Sequence, residues 1–368
     1  NDAHYWFPCY DSPDEKSTSE IIATVPENFY LLSNGRLLSN RLDKSNHTRT
    51  FHWYQGKPHS PYLISIAAGE YVELRDKAGK TPLFYYVYPD QKDKAPYSFS
   101  KTPDMVLFFE KIFGYPYPWD KYAQIVVHDY KAGGMEHTSA TTLNDRTIHD
   151  RYAHLDRDSD ELVSHELAHQ WFGNLVTCKD WSHLWLNEGF ATYAEILYKE
   201  HSQGSTEVQY ALYKDRKFYL EMANDEFPQP IVYEGYRTAE DMFNYIEYQK
   251  AGLVLHMLRH LIGDSLFFQT LQTYLHRFQF GSTITSDFQQ IAEEVSGRDL
   301  NWFFDQWLYH GGHPKFTITS TWKENEGALY LFVKQTQQDS TDLVPEVFRM
   351  PVTVEIIGEN QTLTKEIL

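Results

Sequence analysis

The stretch that decides the fold is His165-Glu166-Leu167-Ala168-His169, near the middle of a chain of 368 residues. Its surroundings predict a helix, and on a helix residues i and i+4 share one face, so the imidazoles of His165 and His169 can converge on one ion. Zinc accepts nitrogen ligands readily. Glu166, directly after the first histidine, can reach a zinc-bound water and act as its general base. The pattern therefore predicts a catalytic zinc site.

A catalytic zinc usually keeps three protein ligands and a water, so a third ligand is needed. Eighteen residues separate His169 from Glu188, which lies in the next predicted helix and can be brought opposite the histidines by the intervening turn. Glu195, two turns further along the same face, could accept a hydrogen bond from a ligating imidazole. The competing interpretations are a helix with two surface histidines and, for Glu195, an ordinary solvent-facing carboxylate.

These residues and two further motifs resemble the gluzincin zinc aminopeptidases, the family of alanyl aminopeptidase, puromycin-sensitive aminopeptidase and leukotriene hydrolase. The resemblance covers residues 1 to about 320, and its motifs stand in the family's order. They are Gly133-Gly134-Met135-Glu136-His137, the zinc stretch from His165 to Thr177 followed by Glu188, and Tyr248-Gln249-Lys250-Ala251-Gly252. Two segments, Trp6–Asp11 and Tyr115–Pro118, match further family landmarks.

The resemblance implies a role for each motif. One zinc ion would be held by His165, His169 and Glu188. Tyr248 would donate its phenolic hydrogen to the developing oxyanion, and Glu136 would bind the free α-ammonium group of a peptide. The same motif places Gly133, Gly134, Met135 and His137 at the substrate, and we assign Asn174 together with Glu195 to the residues that support the ligands. The implied activity is release of the N-terminal residue from peptides.

Two positions depart from the family pattern, because His137 replaces the usual asparagine and Ala251 the usual glycine. Histidine can still donate and accept hydrogen bonds, so we expect the peptidase reaction to be retained and the properties of the substrate site to be altered. Family members also carry a longer N-terminal β domain, and further domains follow the zinc domain. We therefore expect this chain to be part of a longer polypeptide, whose other domains would be partners of the site.

Composition excludes several classes of protein. Lys and Arg number 33 against 51 Asp and Glu, a formal net charge of −18, which would repel a nucleic-acid backbone. No apolar run approaches the 18 residues or so that a membrane span needs. The two cysteines, Cys9 and Cys178, are too few for a disulfide framework and do not fix a compartment.

The order of patterns predicts an α+β chain, in which a thermolysin-like, mostly helical zinc-peptidase domain is flanked by partial β domains. We place the end of an N-terminal β-sheet domain at 1–90, the zinc domain at 91–311 and the start of a β-sandwich at 312–368. Strand patterns include 21–25, 62–67, 71–74, 83–88, 124–127, 316–321, 329–334 and 352–357. Helical spacing first appears from Met105 to Phe113, and a helix capped by Glu161 is predicted from Asp158 through Phe172. Further helix patterns cover 188–201, 205–224, 238–262, 264–278 and 285–297.

Three alternatives to a zinc aminopeptidase remain open at this point. A bifunctional epoxide hydrolase of the leukotriene-hydrolase type would share the zinc site. A scaffold that has lost catalysis should also have lost a ligand or Glu166, and none of these residues is missing. A folded zinc domain with little activity would result if the flanking domains complete the substrate site.

Overall fold

The structure is a computed structural model that describes residues 3–223, 227–337, 343–358 and 362–367. It is a mixed α+β structure, as the sequence predicts. The first strands are β1 (Ser17–Pro26), β2 (Tyr30–Ser33), β3 (Arg36–Asp43), β4 (Thr48–His59), β5 (Ile66–Gly69), β6 (Val72–Ala78) and β7 (Thr81–Val87). The later strands are β8 (Tyr122–Val127), β9 (Gly134–Met135), β10 (Ala140–Asn144), β11 (Thr177–Cys178), β12 (Ser282–Thr283), β13 (Phe316–Lys323), β14 (Ala328–Gln335), β15 (Val352–Ile357) and β16 (Thr362–Ile367).

The helices are concentrated between the two strand-rich parts of the chain. They are α1 (Ala95–Phe99), α2 (Thr102–Phe113), α3 (Asp160–Ala168), α4 (Trp185–Gln203), α5 (Ser205–Met222), α6 (Ala251–Ile262), α7 (Asp264–Phe278), α8 (Thr285–Ser296) and α9 (Asn301–Phe304). Short 3-10 or π-helical turns connect several of them. Helix α4 is buried along most of its length, because α3, α5 and α6 all pack against it.

A five-stranded sheet carries one wall of the site. Its strand order is β6-β7-β8-β10-β9, in which β8 runs parallel to β7 and β10, and β9 is antiparallel to β10. Strand β8 is buried at almost every residue, as expected for a central strand covered on both faces. The short strand β9 is the edge of this sheet, so its outer backbone groups are free to pair with another extended chain.

The same sheet joins residues on both sides of the domain boundary predicted at residue 90. Strands β6 and β7 precede that boundary and are hydrogen-bonded into the sheet of β8. The two boundaries stay predictions, and part of the 312–368 segment lies outside the described residues. Among the described residues, no helix combines the length and apolar character that crossing a membrane requires.

Helix α3, which carries His165, is shorter than its sequence pattern predicts. It begins at Asp160, and the predicted capping box is wrong, because the Glu161 carboxylate pairs with Lys199 and Lys214 on neighbouring helices. The Asp158 carboxylate instead accepts a hydrogen bond from the Asp160 amide at 3.1 Å. A lateral ion pair has thus displaced the local cap.

The end of this helix also differs from the prediction of Phe172. The last helical residue is Ala168, and His169 is its C-cap. His169 keeps right-handed helical dihedrals, and its amide bonds to the His165 carbonyl at 3.2 Å. Beyond it the chain turns through Gly173, whose φ of +117° suits glycine. The two histidines therefore retain their i, i+4 relation although the helix stops between them and Phe172.

Two other predicted elements are wrong in detail. The predicted strand at 62–67 is a 3-10 turn at Pro61–Leu63 followed by β5. The predicted helix at 238–262 is broken into a 3-10 turn (Ala239–Met242), a π-helical turn (Ile246–Lys250) and α6. In both places tertiary packing overrides a local periodicity.

Candidate metal centre

All of the predicted site residues except His137 and Asn174 line one cavity of about 710 Å³ between α3, α4 and the edge strand β9. Helix α3 supplies one wall, and the start of α4 supplies the second. The π-helical turn before α6 closes a third side. The cavity is lined by Glu136, His165, Glu166, His169, Glu188, Glu195 and Tyr248, together with Gly133, Gly134 and Met135.

Three potential ligand atoms converge within it. The Nε2 atoms of His165 and His169 are 3.0 Å apart, and Oε2 of Glu188 lies 3.3 Å from the first and 3.2 Å from the second. Zinc with bonds of about 2.0–2.2 Å in tetrahedral geometry would space its ligand atoms roughly 3.3 Å apart. Among the described residues this is the one histidine, cysteine and carboxylate group with metal-like spacing. The arrangement therefore fits a zinc ion.

The hydrogen bonds behind the imidazoles support the same interpretation. Nδ1 of His169 lies 3.0 Å from the Phe172 carbonyl, which can only accept, so this nitrogen carries a hydrogen. Nδ1 of His165 lies 2.7 Å from the Glu195 carboxylate and is fixed as a donor in the same way. In the neutral imidazoles both Nε2 atoms then present lone pairs toward each other and toward Glu188. Electron-rich atoms at this distance repel unless a proton or a cation lies between them.

The charges around the ligands are strongly coupled. Burial raises the pKa of Glu188, but His169 and His165 outweigh burial and lower it to about 2. Burial lowers the pKa of His169, but Glu188 and then Glu136 raise it to about 9. A cation bound here would compete with the imidazole protons, so metal binding should release protons.

Glu166 faces the same space and is buried. Its Oε2 atom has no hydrogen-bond partner among the described residues. Burial raises the pKa of Glu166 to about 8, in spite of opposing contributions from His165 and His169. The backbone of Gly134 passes directly beside this carboxylate, because a Cβ atom on Gly134 would lie 2.2 Å from Glu166 Oε1. Only glycine leaves room for Glu166 in this position.

Glu136 follows the edge strand and is also buried. Its backbone carbonyl accepts hydrogen bonds from Asn174 Nδ2 at 2.7 Å and from Gln170 Nε2 at 3.1 Å, so the segment after α3 holds it in place. Asn174 thus contacts Glu136, whereas the histidine partners are Glu195 and the Phe172 carbonyl. Tyr62 is a neighbour that the sequence pattern missed, and burial and then the Glu136 carboxylate raise the pKa of its phenol well above the usual value.

Tyr248 lies on the π-helical turn at Ile246–Lys250. Its ring stacks near the His165 imidazole, with centroids 6.0 Å apart and planes 10° apart. Burial and then the carboxylates of Glu188 and Glu136 keep the pKa of Tyr248 well above its usual value. The phenol therefore stays protonated and is available as a hydrogen-bond donor in the cavity.

His137 is placed differently from the other predicted site residues. Its Nδ1 lies 3.0 Å from the Thr142 hydroxyl, and its ring lines a neighbouring cavity of about 610 Å³ with Tyr130 and Tyr88. The cavity of His165, His169 and Glu188 also contains polar residues that belong to none of the sequence motifs, among them Lys131, Asn144, Arg146 and Asp158. No local sequence signal distinguishes these from ordinary loop residues.

Comparison with known proteins places this geometry in a family context. Residues 97–307 match the Peptidase family M1 domain, and residues 1–63 match the Peptidase M1 N-terminal domain. The first match contains the converging ligands, Glu136, Glu166 and Tyr248.

Several curated relatives are similar over most of this chain. It is 27% identical to probable aminopeptidase 1 of Sulfurisphaera tokodaii over 98% of this chain and 46% of that protein. It is 31% identical to glutamyl aminopeptidase of Mus musculus, covering 86% of this chain and 34% of the relative. With puromycin-sensitive aminopeptidase of Caenorhabditis elegans the identity is 26%, over 96% of this chain and 38% of the relative. The chain thus spans less than half the length of these relatives.

Proposed function

The chain belongs to the M1 family of peptidases, and from this premise we propose that it forms the catalytic part of a zinc-dependent aminopeptidase that hydrolyses the N-terminal residue from peptides. The observation that carries the proposal is the convergence of His165, His169 and Glu188 in a cavity that also holds two further buried carboxylates, Glu136 and Glu166. We also propose that the helical part has the thermolysin-like fold of the gluzincins.

His165, His169 and Glu188 would hold the ion, with Glu195 orienting His165 and the Phe172 carbonyl orienting His169. A zinc ion bound there would lower the pKa of a coordinated water to about 7 and polarise the scissile carbonyl. Fixed ring orientations matter because partners of ligating histidines change metal affinity by about 10–100-fold. The near-ideal spacing of the three ligand atoms supports this assignment.

Glu166 is proposed as the general base. It would accept a proton from the attacking water and later deliver it to the nitrogen of the leaving amine. Its free Oε2 atom and its position against Gly134 support this role, because the carboxylate is held beside the edge strand along which a substrate would lie.

Glu136 is proposed to bind the free α-ammonium group of the substrate. A buried carboxylate gains strongly from pairing with a cation, and its backbone is held by two amide side chains. Gly133 and Gly134 let an extended peptide approach the edge of β9 closely, as in strand addition. Met135, on the same strand, would border the first side chain of the substrate.

Tyr248 is proposed to stabilise the oxyanion that develops on the scissile carbonyl. A preorganised donor of this kind contributes about 10²–10³ in kcat in other hydrolases. The protonated phenol beside His165 supports the assignment.

One experiment tests the proposal as a whole. Zinc content would be measured on the purified chain together with release from peptides that carry either a free or an acetylated N-terminus, with and without chelator. We expect one zinc per chain, cleavage of free peptides only, and loss of cleavage with chelator. Glu166→Gln should keep the zinc and lose at least about 10² in turnover. Cleavage of acetylated peptides at the same rate would exclude an exopeptidase, and unchanged turnover of Glu166→Gln would exclude the general base.

A further inference from the structure

Two cations line the outer part of the cavity and have no role in the chemistry above. Lys131 precedes the edge strand β9, and Arg146 follows β10. Both side chains are exposed. Within the described residues neither forms an ion pair, so both charges are available to a ligand.

Asn144 holds the two segments side by side. Its amide Nδ2 donates to the Tyr130 carbonyl at 2.5 Å, and its backbone N–H donates to the Gly133 carbonyl at 2.8 Å. Its side-chain oxygen accepts the Arg146 amide at 2.9 Å. The half-buried Asn144 thus fixes the loop that carries Lys131 against the turn that carries Arg146. The two cations therefore stand on backbone segments of the cavity wall that are held together by hydrogen bonds.

The direction of the substrate follows from burial along the edge strand. Glu136 is buried, His137 lines a separate cavity, and Thr138 and Ser139 are fully buried, so the lining of the cavity that holds the ligands ends at Glu136 on this side. In the opposite direction, 131–133 are exposed. A peptide with its amine at Glu136 must therefore run antiparallel to β9, away from Glu136 and toward Lys131.

The spacing then selects a position in the substrate. If the first residue lies opposite Met135, the third lies opposite Gly133, because strands advance about 3.3 Å per residue. Lys131 lies two residues beyond Gly133, at about 7 Å along the strand direction. Its flexible four-carbon side chain is long enough to reach back over that distance to the third residue of the peptide. Arg146 lines the same cavity from the turn that Asn144 ties to Gly133.

Of the acidic residues on the facing wall, Glu161 pairs with Lys199 and Lys214, whereas Asp158 accepts the Asp160 amide and has no cation partner among the described residues. Asp158 therefore keeps its negative charge, but Lys131 and Arg146 outnumber it. The outer part of the cavity thus offers a surplus of positive charge to the downstream part of a peptide, although the whole chain carries −18.

We propose that Lys131 and Arg146 form a subsite for a carboxylate at the third residue of the substrate. The carboxylate can be an acidic side chain at that residue or the C-terminal carboxylate of a tripeptide. This inference rests on the proposed aminopeptidase function and names a substrate class for it. Exposed ion pairs contribute modestly, so the two cations together should change selectivity by about three- to tenfold.

The test uses peptides that differ only at the proposed position. One set of tetrapeptide amides carries Glu, Gln or Lys as the third residue, and a second set compares a tripeptide free acid with its amide. Two readouts are taken: kcat/KM with the parent chain, and the dissociation constant with the Glu166→Gln variant by calorimetry. We expect kcat/KM and affinity to be higher for the Glu peptide than for the Gln peptide, higher for Gln than for Lys, and higher for the free acid than for the amide. These ratios should shrink in 0.5 M salt because screening weakens the ion pairing.

Matched variants assign the effect to these residues. The double variant Lys131→Gln/Arg146→Gln should reduce each ratio to about one. The control Lys80→Gln/Arg41→Gln makes the same charge change at two exposed positions outside the cavity and should leave the ratios unaltered. A gain confined to the free-acid tripeptide would assign the subsite to a terminal carboxylate.

The outcomes separate the two proposals. Equal rates and affinities in both comparisons, Glu against Gln and free acid against amide, would overturn the carboxylate subsite while leaving the aminopeptidase intact. Ratios that persist in the cavity double variant would overturn it as well. A parent chain loaded with zinc that cleaves none of the peptides would overturn the proposed function. Binding to Glu166→Gln would then still report whether the two cations recognise a carboxylate.

Discussion

Gly134→Ala should separate the position of the general base from the integrity of the metal centre. Gly134 is part of the extended strand β9, so its backbone accepts alanine. The added Cβ would lie 2.2 Å from Glu166 Oε1, 2.5 Å from Cδ and 2.8 Å from Cγ. The three nearest atoms all belong to Glu166, so the substitution acts first on that side chain.

The size of the effect follows from these distances. Carbon and oxygen atoms normally approach to about 3.3 Å, so the carboxylate must retreat by about 1 Å. The obstructing atoms are the end of a flexible side chain, and the chain can fold around the new methyl group. A misplacement of about 1 Å in a catalytic group can cost about 10²-fold in rate, or about 2.7 kcal/mol of transition-state stabilisation.

The assay compares Gly134→Ala with Gly133→Ala for zinc content, thermal midpoint and kcat on a free peptide. At Gly133 the added Cβ would meet only Leu162, with Cδ1 at 3.4 Å and Cδ2 at 3.9 Å, which are ordinary contacts. We expect both variants to fold and to bind one zinc. The loss in kcat should be about 10²-fold for Gly134→Ala and much smaller for Gly133→Ala.

Two results would refute this reasoning. Full turnover in Gly134→Ala would show that the carboxylate does not need the position seen beside the strand. Equal losses in both variants would show that the alanines obstruct the substrate backbone, since only one of them touches Glu166.

Three further perturbations probe other contacts. Glu195→Gln removes the charged partner of His165 Nδ1 and should weaken zinc binding by about 10–100-fold in chelator competition; unchanged affinity would contradict this. Tyr248→Phe should retain zinc and lower kcat by about 10²–10³ with a smaller change in KM in steady-state kinetics; a loss confined to KM would exclude an oxyanion role. Burial and then Lys16 lower the pKa of His59 to about 3, so the unfolded chain binds a proton more readily than the folded one below pH 6.5, and stability falls as pH falls. In urea unfolding of metal-free protein between pH 6.5 and 3, the free energy of unfolding of His59→Gln should fall by up to about 1.4 kcal/mol less per pH unit than that of the parent. Parallel pH profiles of the two proteins would argue against a buried neutral imidazole.

Much of the candidate metal centre could be predicted from the sequence, because the spacing of its two histidines is a property of one short segment. The pairing of His165 with His169 depends only on helical periodicity, and it survives although the helix ends at Ala168. Glu188 required one further assumption, that the next helix turns back against the first. The α+β character followed from the order of strand and helix patterns.

Other features could not be read from local patterns. The predicted helix at 238–262 is broken, and the π-helical turn that carries Tyr248 is set by packing against α4. The capping role expected for Glu161 was lost to Lys199 and Lys214 from other helices. His137, adjacent to Glu136 in sequence, follows the end of β9 and lines another cavity, which no local pattern indicates.

The sequence by itself determined which residues can bind a metal and the family to which they are similar, because ligand type and i, i+4 spacing are properties of a short segment. Only the tertiary structure decided how closely Gly134 passes Glu166 and how Asn144 ties the loop that carries Lys131 to the turn that carries Arg146. These relations join segments that are distant along the chain, and their distances depend on how sheet and helices pack together. The types of the site residues follow from short segments of sequence, whereas the orientation of Glu166 and the cavity wall that faces the substrate depend on packing.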